Sequence, residues 1–216
     1  VQDAITRDGN LTLQNQGGSG GIDLQAGIDL GDYTLALATG GDITQSASAA
    51  IIAHSLLAIA TGDVLLGTAQ NDVAATTLAG SSGGDFEFLD ATALSIGSVS
   101  ARGFDAANGQ LSGVSRNGIN AGGDALVRNL AGNLTLQSGI TAHAIDLVTA
   151  GALQNAAGAT LTAANGWRVW ASSWVGETRG GLAGNGALPN LYGCNFNGAC
   201  AATAPDTSRS GCRNPT

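Results

Sequence analysis

The sequence predicts an all-β fold: a parallel β-solenoid with coils of about 20–22 residues, closed by an aromatic C-terminal cap. Three observations predict it. Gly41-Asp42-Ile43, Gly62-Asp63-Val64 and Gly84-Asp85-Phe86 repeat one Gly-Asp-apolar unit at intervals of 21 and 22 residues. Apolar residues alternate with polar or small ones in Leu11-Thr12-Leu13, Tyr33-Thr34-Leu35-Ala36-Leu37, Phe86-Glu87-Phe88, Leu94-Ser95-Ile96 and Ile145-Asp146-Leu147, the period of a strand with one face turned inward. The 216 residues are 44% hydrophobic but only 4% aromatic, with 34 glycines, so the core must be filled by Leu, Ile, Val and Ala.

Taken in order, residues 1–166 form the repeat region. A second column, half a coil out of phase, runs through Gly9-Asn10-Leu11-Thr12-Leu13 and Gly31-Asp32-Tyr33-Thr34-Leu35, 22 residues on, and returns at Gly132-Asn133-Leu134-Thr135-Leu136. Glycine is expected to turn each corner by adopting a positive φ, with Asp or Asn bonding nearby backbone. Stacked at the interstrand spacing, roughly seven or eight coils make a rod about 35–40 Å long. The stretch 98–120, where Phe104 stands alone among Gly, Asn and Ser, is expected to be a coil with a looped-out segment. At residue 167 the texture changes, and 167–192 is read as the cap because Trp167, Trp170 and Trp174 fall within eight residues. Residues 193–216 form a tail that carries all three cysteines, Cys194, Cys200 and Cys212.

Charge narrows the function. Only 11% of residues are charged, the net charge is −8, and the eight cations are all arginine, scattered from Arg7 to Arg213. Nucleic acid is set aside as a partner, since phosphate binding needs clustered cations. Membrane insertion is not expected either: the best apolar run, Ala49 to Ala60, is interrupted by His54 and Ser55 and falls short of the roughly 20 residues that cross a bilayer. The chain begins at Val1 and contains no Met, and is read as a processed product or a piece of something longer.

The coils run into Gly166-Trp167-Arg168-Val169-Trp170-Ala171-Ser172-Ser173, Thr178-Arg179-Gly180-Gly181-Leu182 and Asn190-Leu191-Tyr192-Gly193-Cys194. In this the chain resembles the passenger repeats of filamentous-haemagglutinin-like exoproteins, bacterial adhesins exported by two-partner secretion. The resemblance implies a right-handed β-helix, a secreted or cell-surface location, and a role in adhesion or biofilm. It also implies an outer-membrane secretion partner for the full-length protein, and host or bacterial surface glycans or proteins as ligands. No catalysis and no cofactor are implied. The N-terminal secretion domain of such proteins has no counterpart here, so the likeness is to a distal segment of the passenger.

Candidate sites follow. In an exported chain Cys194 and Cys200 are expected to close a disulfide loop, leaving Cys212 free or paired elsewhere; a zinc site would lack a ligand, and no metal is expected. Trp167, Arg168, Trp170, Trp174, Arg179 and Tyr192 admit two readings. They either cap the open end of the solenoid or form a stacking platform for sugar rings. His54 and His143 lie among small residues and are expected on the solvent face or at a corner. The repeated aspartates are expected to stack as corner residues rather than as catalytic acids, so no turnover is expected, although β-helices also host polysaccharide-degrading enzymes.

Overall fold

Stacking identical corners on one another buries one side of every strand. In the computed structural model the strands accordingly lie on their counterparts one coil away, except in one hairpin. The structure describes residues 1–15, 18–73, 77–105, 109–182, 190–193 and 196, and these contain strands and no helix. The longest continuous face is an eight-stranded parallel sheet, one strand per coil: Ile22–Leu24, Ile43–Gln45, Val64–Asn71, Phe86–Asp90, Ala125–Asn129, Ile145–Thr149, Trp167–Ala171 and Leu191–Tyr192. A ten-stranded parallel sheet forms a second face, and three two-residue strands, Ile5–Thr6, Ile28–Asp29 and Ile51–Ile52, add a short third one at the N-terminal end. The protein is a β-solenoid.

The core is a column of aliphatic side chains with aromatic inserts. Leu24, Ile43, Val64, Leu66, Phe86, Phe88, Val127, Ile145, Leu147 and Val169 are buried from the eight-stranded face, and Leu35, Leu56, Leu78, Leu94, Leu134 and Leu153 from the ten-stranded one. Fully burying a Leu, Ile or Val is worth about 1.5–3 kcal/mol, and repetition along the axis multiplies that gain.

The corners work differently from the expectation. Gly41, Gly62, Gly84 and Gly123 are not among the positive-φ glycines. Their role is space: a Cβ on Gly62 would overlap Oδ1 of Asp42, one on Gly84 would overlap Oδ1 of Asp63, and one on Gly123 would overlap Oδ1 of Asp85. Each aspartate reaches over the glycine of the next coil and accepts the N–H of the residue after it. Asp63 N donates to Asp42 Oδ1 at 2.9 Å, Asp85 N to Asp63 Oδ1 at 2.8 Å and Asp124 N to Asp85 Oδ1 at 2.8 Å. The Gly-Asp unit is therefore a bond between coils, not a local turn. In the second column the left-handed conformation does occur, with φ of 52° at Gly31 and 70° at Gly132.

That column pairs two residues away from the sequence alignment. Leu11 lies on Leu35, not on Tyr33; the strand starts at Thr34 and Tyr33 is an exposed turn residue. Asn10 Oδ1 accepts the N–H of Thr34, and Asn133 Oδ1 that of Ala152, so these asparagines repeat the device of the aspartates.

The looped-out segment is an antiparallel hairpin, Ser98–Asp105 against Gln110–Asn117. It is inserted into one strand line: Leu94–Ile96 and Ile119–Ala121 both pair with Thr77–Ser82, and the neck closes by a bond from Gly118 N to Gly97 O. The hairpin lies back along the outer surface of the ten-stranded sheet. Val99, with Ala101 and Val114, packs on the outward Ala36, Leu57 and Ala79. At the first coil Thr12 Oγ1 donates to Arg102 O, Gln14 Nε2 donates to Phe104 O, and Phe104 N donates to Gln14 Oε1. Two side chains thus take the place of a neighbouring strand and tie the first coil to a segment 90 residues downstream.

A second ladder runs inside. Gln45, Asn71, Asp90, Asn129 and Thr149 end successive strands of the eight-stranded sheet and are all buried. Asn71 accepts from Ile51 N and Gln45 Nε2 and donates to Leu66 O and Leu89 O; Asn129 donates to Thr92 O and Ala131 O. Asp90 accepts Val73 N, Thr92 N and Thr92 Oγ1. Satisfying the turned-in backbone with side-chain amides is what lets the chain bend at this corner without water.

Candidate functional site

Strand alternation divides the aromatic cluster. Along Trp167–Ala171 the side chains of Trp167, Val169 and Ala171 enter the core, while Arg168 and Trp170 point away from it. Trp167 ends the apolar column. Trp170 lies on the outer face of the sheet, yet it is only 4% exposed: Phe196 packs edge-on against it at 5.3 Å, the Arg168 guanidinium lies 5.3 Å from its centroid, and its Nε1 donates to Asp146 Oδ1 at 2.9 Å.

Tyr192 continues the inner polar column, stacking on Ala171 as Ala171 does on Thr149. Its hydroxyl donates to Glu177 at 2.8 Å and accepts from Arg179 Nη2 at 2.9 Å. Burial, and then the Glu177 carboxylate, push the phenol far above its ordinary value, so it stays a neutral donor at every physiological pH. The segment supplying Glu177 and Arg179 crosses the rod end: Thr178 bridges Gln154, and Asn155 Nδ2 donates to Ala159 O and Arg179 O.

Of the six residues named from the sequence, Trp167, Trp170 and Tyr192 are thus buried and Arg168 and Arg179 half-buried in packing contacts. Trp174, with Val175, remains exposed. The three faces needed for a wide stacking platform are covered, so the geometry favours the cap. Cys194, Cys200 and Cys212, and the disulfide expected between the first two, lie outside the described residues.

Beside the cap, a groove of about 260 Å³ runs along the outer face of the eight-stranded sheet. Leu65, Leu126 and Phe196 line it together with Asp85, Glu87, Asp124 and Asp146. Carboxylates therefore do converge on one surface, which the sequence did not lead us to expect. Each already has structural work: Asp85 accepts Asp124 N, Glu87 pairs with Arg128, Asp146 accepts Trp170 Nε1, and Asp124 faces His143 Nδ1 at 3.3 Å. Sequence reasoning missed the roles of Asp146 and Glu177 because their partners, Trp170 and Tyr192, lie 24 and 15 residues away and meet them only once the coils are stacked. His54 and His143 are both exposed. Among the described residues no group of three or more His, Cys, Asp or Glu side chains could hold a metal ion.

Against models of protein families, curated proteins and solved structures, the chain gives no match.

Proposed function

We propose that this chain is a structural and adhesive segment of a large bacterial exoprotein. It is secreted or displayed at the cell surface by an outer-membrane partner, meets host or bacterial surface glycans or proteins through many weak contacts, and turns over no substrate. One observation carries the reading: the groups that could have made a concentrated site are spent on the scaffold. The four groove carboxylates already meet a backbone N–H, Arg128, Trp170 or His143, and three of the four rings among Trp167, Trp170, Trp174 and Tyr192 are buried. With only 11% of its residues charged, the rod suits a partner met through distributed hydrogen bonding rather than through concentrated charge. The sequence resemblance to filamentous-haemagglutinin-like passengers points the same way.

A narrower reading is a glycan-binding module, and the exposed Trp174 ring favours it. The two separate in one experiment, a glycan array and a cell-adhesion assay on the chain and its Trp174→Ala variant, with uronic-acid release followed in parallel. Distributed contacts predict adhesion that survives the substitution, with no sugar released. Selective loss in the variant would move the function to a stacking site, release of sugar would establish an enzyme, and binding to neither array nor cells would sink the adhesive reading.

A further inference from the structure

Two Asn-Gly steps fall within the described residues, Asn117-Gly118 and Asn165-Gly166, and the fold treats them in opposite ways. Such a step can close a five-membered succinimide: the glycine nitrogen attacks the Asn side-chain carbonyl, a reaction that glycine alone leaves sterically open. At Asn117 the attacking group is tied down, since Gly118 N donates to Gly97 O at 2.7 Å in the neck of the hairpin. The carboxamide is pinned too, its Oδ1 accepting the hydroxyls of Ser98 and Ser138.

Asn165 is exposed, in the turn before the strand that begins at Trp167. Gly166 N has only a long contact to Ala163 O, 3.4 Å, and Gly166 sits at φ 90°. The amide nitrogen that must leave, Asn165 Nδ2, lies 3.4 Å from His143 Nδ1. The same Nδ1 lies 3.3 Å from Asp124 Oδ1, and a carboxylate in that place favours the tautomer that carries its proton on Nδ1.

We infer that Asn165 is a self-modification site, at which the Asp124–His143 pair assists conversion of the side-chain amide to a carboxylate. The bond from Gly166 N to Asn165 Cγ forms as the Cγ–Nδ2 bond breaks. His143 Nδ1 gives a proton to the departing nitrogen, and the proton lost from Gly166 N returns to the imidazole through water, so ammonia leaves and the ring is unchanged. Water then opens the succinimide. Cleavage at Cγ leaves aspartate; cleavage at the main-chain carbonyl leaves isoaspartate, which lengthens the backbone by one atom. Gly166 O accepts the N–H of Ile145, and Ile145 lies on Trp167. The longer backbone would therefore disturb the register of the last coils directly beneath the cap, and either product adds a negative charge facing Asp124. His143 and Asp124 act here as positioning and proton-handling groups; the reaction consumes only water.

The test uses the whole chain held folded in mildly alkaline buffer and sampled over time. With no Lys in the sequence, trypsin cuts after Arg116, Arg128 and Arg168, placing the two sites in separate peptides whose fragment masses report amide loss, while an isoaspartyl methyltransferase labels the rearranged product. Conversion at Asn165 is expected to exceed that at Asn117 by about tenfold or more, a barrier difference of at least ~1.4 kcal/mol, and the two rates should converge when the chain is unfolded in urea. His143→Gln keeps a hydrogen-bonding side chain without a transferable proton; it should slow Asn165 several-fold and leave Asn117 and the thermal melt unchanged. Equal rates at the two sites of the folded chain, or an Asn165 rate unmoved by His143→Gln, would overturn the assignment.

Discussion

Two ladders run along this rod, one on its surface and one in its core, and both use polar side chains to bond main-chain groups. Asp42, Asp63 and Asp85 form the outer ladder, each bonded to the N–H of the next coil. Gln45, Asn71, Asp90, Asn129 and Thr149 form the inner one. The outer bonds compete with water, and a typical net value for such a bond is about 0.5–1.5 kcal/mol. The inner bonds have no such competitor: each stands between a buried peptide group and a full desolvation penalty. The ladder that is easy to see is therefore the weaker of the two.

The largest effect is expected from truncating the inner ladder. Asn71→Ala removes the acceptor of Ile51 N and the donor to Leu66 O and Leu89 O at a site of 0% exposure. Stranding these groups should cost about 3–4 kcal/mol, read as a lower urea midpoint at unchanged slope. A loss under about 1 kcal/mol would mean that water enters the corner, and the contrast between the ladders would fail.

The outer ladder breaks more readily through its glycine than through its aspartate. Gly62→Ala drives a Cβ into Asp42 Oδ1 and should cost about 1–3 kcal/mol by overpacking. If the clash is the cause, Asp42→Ala must relieve most of it, so the double variant should be less destabilised than the sum of the singles. Additive losses would show that the glycine serves some other need.

The same contrast explains what could be read from the sequence. An outer aspartate constrains a second residue, since only glycine leaves room for it, and the pair recurs at coil spacing; the period and the fold class follow from that. Apart from the Gln45–Asn71 pair, the inner residues bond chiefly main-chain groups, which demand no particular partner. Their distance from the Gly-Asp unit also drifts, because Gly67–Gln70 bulge out where the neighbouring coil has only Leu89. The hairpin left a fainter trace: Asn108-Gly109, a common turn pair, stands in the middle of the stretch 98–120, where the sequence predicts a coil with a looped-out segment. The cap was legible as a change of texture at Trp167, but not the opposite orientations of Trp167 and Trp170. These follow from strand alternation and from Phe196, a residue 26 positions further along the chain.

Asp90 sharpens the comparison in the other direction, because it sets a carboxylate where the inner ladder otherwise has amides and a hydroxyl. Burial raises its pKa above the ordinary 3.8, against the bonds from Thr92 and Val73, and Asp72 adds a smaller push in the same direction. Among the described residues no cation opposes these influences. With the folded pKa above the unfolded one, the folded state holds the extra proton between the two values. Stability is therefore greatest below 3.8 for this group and falls as pH rises towards the folded pKa, by no more than about 1.4 kcal/mol per pH unit for one proton. Asp90→Asn cannot titrate. Its stability relative to the parent should rise across that window and level off above it, whatever fixed cost comes from facing an amide N–H towards Val73 N. Urea unfolding of both chains from acid to neutral pH measures the difference, and a difference that stays flat, or that falls with pH, would mean that Asp90 is charged in the fold and held by its three donors alone.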